Sequence, residues 1–157
     1  MGFTTLSLKG RALRLLSQRE HSRAELLRKL APHAEAGDDL HALLDDLQAR
    51  DFISEARVVE SVLNRRAGRL GATRIRQELQ SKGLGADAVQ QAMAQLQDSE
   101  LERAREVWRR KFGEPAADPQ ARAKQMRFLL ARGFSGDVVR RAVRSDVEPP
   151  GEQDQTR

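Results

Sequence analysis

The chain has 157 residues and a formal net charge of +5, with 39% hydrophobic, 4% aromatic and 32% charged residues, and neither cysteine nor tyrosine. The missing cysteines exclude disulfides, thiolate catalysis and cysteine-based zinc sites, and fit a reducing compartment. So few aromatics among so much Ala, Leu, Arg, Glu and Gln predict a thin aliphatic core between stacked helices rather than a deep globule.

The opening stretch MGFTTLSLKG carries no basic segment followed by an apolar one, and no apolar run approaches bilayer length. A cytoplasmic protein that crosses no membrane is therefore expected, with residues 1–7 as an extension. Leu8, Ala12, Leu15 and Leu16 predict a first helix to about Gln18. Ser22 and Glu25 have capping-box spacing ahead of Leu26, Leu27 and Leu30. Leu40, Leu43, Leu44 and Leu47 make a third helix, closing a unit over 8–53.

A second unit, 54–97, opens with Ala56, Val59, Val62 and Leu63 as its predicted stripe. It continues with Ile75 and Leu79, then with Val89, Ala92, Met93 and Leu96. The third, 98–146, opens at Ser99 and Glu102, again at capping-box spacing, with Leu101, Ala104, Val107 and Trp108 inward. Asp118 and Pro119 have the chemistry of an N-cap and a first helical residue. A last helix buries Val138, Val139, Ala142 and Val143. Residues 147–157 lack periodicity and read as a disordered tail. All five prolines fall where helices would begin or end.

The units repeat. Shifting the first by 49 places Leu26, Leu30, Leu40, Leu43, Leu44 and Leu47 on Ile75, Leu79, Val89, Ala92, Met93 and Leu96. KGLGADAVQQAM from Lys82 returns as RGFSGDVVRRAV from Arg132, matching at Gly83/Gly133, Asp87/Asp137, Val89/Val139 and Ala92/Ala142. A period near 50 predicts an all-α fold of three tandem three-helix repeats in an elongated, curved array. Gly83 and Gly133 are expected to supply left-handed helix ends, and Asp87 and Asp137 to sit in the next first turn. On this reading the repeated phrases are punctuation between helices.

Charge is uneven. Residues 35–51 hold six acids against one base, 64–82 six bases against Glu78, and 122–144 seven bases against Asp137. The basic faces predict an anionic partner, either nucleic acid or an acidic protein surface. The candidates are Arg65, Arg66, Arg69, Arg74, Arg76 and Lys82, then Arg140, Arg141 and Arg144. Catalysis has little support. His21, His33 and His41 show no ligand spacing and read as solvated or capping groups, and no nucleophile with a base and an orienter can be assembled. Asp38–Asp39 and Asp45–Asp46 read as solvated acids, because adjacent helical residues point apart. No cofactor or metal is expected, Trp108 is assigned to the core, and nothing signals an oligomer, so a monomer is expected.

The string from Gly71 to Gly83, with Arg74, Ile75, Glu78, Leu79 and Lys82 at their spacing, resembles the bacterial RecX family of recombination regulators. It follows the segment SEARVVES, and RFLLARGFSGDVVRRAV is similar to that family's C-terminal signature. The resemblance spans about Leu8 to Ser145. It implies a non-enzymatic protein that binds the RecA filament on single-stranded DNA and modulates, mainly by inhibition, its ATPase, coprotease and strand-exchange activities. A stand-alone nucleic-acid-binding module, with Arg140, Arg141 and Arg144 on phosphates, is the alternative.

Overall fold

The computed structural model describes residues 5–144, and the expected tail at 147–157 lies outside them. Among the described residues are nine α-helices and no strand. They are α1 (Leu8–Gln18), α2 (Arg23–Leu30), α3 (Leu40–Ala49), α4 (Glu55–Arg66), α5 (Ala72–Ser81), α6 (Ala86–Gln97), α7 (Glu100–Lys111), α8 (Pro119–Ala131) and α9 (Gly136–Val143). A short 3-10 turn, Ala31–His33, holds Pro32 after α2.

Most helix starts follow their local chemistry. Ser22 and Glu25 close a complete capping box on α2, and Asp118 accepts from the Ala121 N–H with Pro119 at the first helical position of α8. Asp87 and Asp137 occupy first turns as expected. Ser99 does not cap α7: its backbone is helical, and its hydroxyl donates to Leu96 O instead. The two helices meet almost without a break there, so the extended residue a capping box requires is missing.

The helices group in threes, each set around its own core. Ala12, Leu26, Leu30, Leu44, Leu47 and Ile53 form the first cluster. Val58, Val62, Ile75, Leu79, Val89 and Leu96 dominate the second. Val107, Leu129, Phe134, Val139 and Val143 dominate the third. The main helix–helix packings stay within a set. One predicted stripe shifts: on α4 Val58 is buried and Ala56 exposed, because a valine removes more apolar surface from water than an alanine.

The repeated glycine phrases turn out to be the joints between units. Gly83 (φ 72°) and Gly133 (φ 93°) are left-handed as expected. Each turn also docks on the N-terminus of the second helix of the preceding unit. Lys82 O accepts the Ser22 hydroxyl at the start of α2, and Arg132 O accepts the Gly71 N–H at the start of α5, 2.8 Å away. Gly133 O accepts from Thr73 N at 3.2 Å. A β-carbon on Gly83 would stand 2.6 Å from the Ala24 methyl, and one on Gly133 2.7 Å from Arg74 N. Punctuation is half of their role; close approach of backbones is the other half.

Candidate interaction surface

Three of the nine candidate cations are engaged within the chain, which corrects the expected outward placement of Lys82 and the half-buried Arg66, whereas Arg74 stays exposed. The Lys82 ammonium lies 3.2 Å from Glu25 Oε1, with only 12% of its side chain exposed. Arg19 holds the other Glu25 oxygen at 2.6 Å, and the Ser22 N–H donates to the carboxylate as well. Burial pushes the Glu25 carboxyl up. The Arg19 hydrogen bond, the Ser22 N–H and the Lys82 charge outweigh it and hold the group at about 2. Arg66 is half-buried on Glu78, 3.2 Å away, and Arg74 donates to Ala131 O across the second joint. Helical spacing tells which side of a helix a residue takes; it does not tell where a neighbouring unit will sit.

The other six face solvent. Arg65 donates to Ser61 O of its own helix, and Arg140 lies 3.8 Å from Asp137 with both side chains largely exposed. A pair that exposed contributes little. Arg69, Arg76, Arg141 and Arg144 are exposed, and their side chains have no hydrogen-bond or ion-pair partner among the described residues. So are Arg122, Lys124 and Arg127 on α8, which the sequence did not single out. Arg122 and Arg144 line one small hollow with Pro115 and Val143. Unengaged guanidinium groups are free to take carboxylate or phosphate.

A cation that no spacing or charge pattern singles out organises the second joint. The half-buried Arg103 guanidinium donates to Ala67 O at 2.9 Å, Leu70 O at 2.8 Å and Leu96 O at 3.4 Å. It thereby satisfies carbonyls at the C-terminal ends of α4 and α6, where positive charge is favoured. The same group lies 5.9 Å from the Phe134 ring centroid.

The remaining polar groups serve structure. His33 and His41 are exposed, whereas His21 is buried, which corrects its expected solvation. Its Nδ1 lies 3.0 Å from Arg19 O and its Nε2 3.2 Å from Lys29 Nζ, so the neutral ring donates at Nδ1 and accepts at Nε2. Burial lowers its pKa, against the Arg19 carbonyl bond. Trp108 packs on the third core and donates to Oε1 of the buried Gln125. Phe128 is partly buried against the same core, with Lys111 and Arg132 beside its ring, so it offers no free face for stacking on a base. Among the described residues no group of three or more His, Asp or Glu could hold a metal, and no helix is long and apolar enough to cross a membrane.

Known proteins share this arrangement. Residues 54–93 match the family description "RecX, second three-helix domain" and residues 98–143 match "RecX, third three-helix domain". A "Regulatory protein RecX" of Leptothrix cholodnii is 63% identical over 139 residues, 88% of each chain. Its namesake in Ralstonia nicotianae is 57% identical over 138 residues, 88% of this chain and 87% of the other. A crystal structure of RecX from Lactobacillus salivarius superposes with a TM-score of 0.73 at 20% identity, over 87% of this chain and 92% of that one, a likeness of fold.

Proposed function

The chain belongs to the RecX family of regulatory proteins, and from that premise we propose that it binds the RecA filament on single-stranded DNA and inhibits its activities without catalysing a reaction of its own. The supporting observation is the set of exposed, unengaged arginines on the second and third units, Arg69, Arg76, Arg141 and Arg144. A filament of protein and DNA presents carboxylates and phosphates along its length, and each of these guanidinium groups can take either without breaking an internal pair. Arg74 and Lys82 bridge neighbouring units and Arg66 pairs with Glu78 inside the second, which leaves the binding role to their neighbours.

The deciding experiment adds the protein to RecA assembled on single-stranded DNA and follows ATP hydrolysis. Inhibition that weakens in an Arg69→Glu, Arg76→Glu double variant supports the reading. Unchanged hydrolysis at saturating protein removes it. A salt titration on DNA alone tests the stand-alone alternative, which demands a steep fall in affinity with a slope set by the phosphates neutralised.

A further inference from the structure

The two repeats 54–97 and 98–143 place corresponding helices in correspondence, so their outer faces can be compared position by position. Helices α4 and α7 each have 12 residues and follow Ser54 and Ser99, which sets a shift of 45. Helices α6 and α9 align at the shift of 50 that matches Asp87 with Asp137. On the third unit the first and third helices carry the bulky Leu101, Trp108 and Val138, all packed on the core. On the second unit those positions hold Ala56, Leu63 and Ala88. The smaller side chains leave a groove of about 640 Å³, lined by α4 and α6 alone, with Val59 and Ala92 completing its apolar floor.

The charge changes along with the volume. Where the third unit has Arg105, Arg109 and Arg141, the second has Glu60, Asn64 and Gln91. Three carboxylates, Glu55, Glu60 and Asp87, line the groove, and no Lys, Arg or His does. Glu55 accepts from Gly85 N at 3.3 Å, while Glu60 and Asp87 have no partner among the described residues. An anionic, apolar-floored trough in a chain of net charge +5 is unsuited to nucleic acid. Two packed helices with alanines on the groove between them leave the space a further helix would fill.

We propose that the α4–α6 groove docks an amphipathic helix of a protein partner, its apolar face on Val59, Ala88 and Ala92 and its lysines or arginines on Glu60 and Asp87. This surface is separate from the exposed arginines, and its test does not involve RecA or DNA.

The probe is an 18-residue amphipathic helical peptide of leucine and lysine, paired with its leucine and glutamate counterpart. Saturable one-to-one binding of the lysine peptide is expected, with amide shift changes confined to α4 and α6 and no binding of the glutamate peptide. Glu60→Gln with Asp87→Asn should weaken binding roughly tenfold at low salt, and less at high salt, where exposed charges are screened. Ala88→Trp, which puts an indole ring into the groove, should abolish binding. Ala88→Val is the milder variant should the tryptophan destabilise the fold. Equal binding of both peptides, or shifts centred elsewhere, would overturn the proposal.

Discussion

Gly71 and Gly133 meet backbone to backbone: a β-carbon on Gly71 would stand 2.3 Å from the carbonyl carbon of Gly133. Nothing in the contact can swing aside, since both sides are main chain. Replacing Gly71 with alanine must therefore push the third unit off the second. The expected loss is ~2 kcal/mol, an overpacking value, or a fall in Tm of ~4–8 °C. Gly133→Ala should be worse, because it adds left-handed strain to overlap with Arg74. Gly37→Ala is the control: φ is +93° but nothing lies within 4 Å, so only the strain, ~1 kcal/mol, remains. Thermal unfolding of the three variants checks the order. A Gly71→Ala protein that melts with its parent would mean that the joint is looser than described.

Arg103 should prove structural. Its guanidinium is bonded to carbonyls rather than to a carboxylate, and burial pushes its pKa down against the charge of Glu100. Lysine has one donor group where three carbonyls in different directions must be served. Arg103→Lys should cost ~1–3 kcal/mol, the range for buried polar groups left unpaired. Urea denaturation measures this directly, and a stability unchanged by the substitution contradicts the role.

The first joint is ionic, and acid should open it. Glu25 has a folded pKa near 2 against an ordinary value of 4.5, so its stabilisation is complete above pH 4.5 and fades as the pH drops toward 2. His21 behaves in the same direction from a higher pH. Its folded pKa lies below 6.5, so the neutral ring favours the fold above that value and protonation disfavours it on acidification. A proton on Nε2 also removes the acceptor for Lys29. Stability followed by urea titration should decline gently below pH 6.5 and more steeply below 4.5. Glu25→Gln should flatten the lower limb alone; an unaltered acid profile in that variant would exclude the carboxylate as its origin.

Charge reversals should divide into two classes. Arg69→Glu, Arg76→Glu and Arg141→Glu touch no internal partner and should leave stability within ~0.5 kcal/mol, as is usual for surface changes. Arg66→Glu faces Glu78, and Lys82→Glu faces the buried Glu25. The second should cost ~3 kcal/mol or more, since it places like charges together away from water. Circular dichroism melts sort the five variants before any partner assay is interpreted. A Lys82→Glu protein as stable as its parent would return that residue to the surface.

Much of this was written in the periodicity of the chain. Leucine and valine at helical spacing, prolines at the borders, and a phrase recurring near every 50 residues specify helices and repeats, because burial of an apolar stripe and the left-handed freedom of glycine act over a few neighbouring residues. Those rules also placed Ser22, Asp118 and the Asp87 and Asp137 first turns correctly. They could not separate Arg76, which stays in solvent, from Lys82, which is sealed against Glu25. Both stand on the polar side of one helix, and the difference comes from a unit some 60 positions earlier that docks on one end of it. The groove between α4 and α6 was equally hidden, since alanine in place of leucine or valine changes no period, only the volume left between two helices once they have packed.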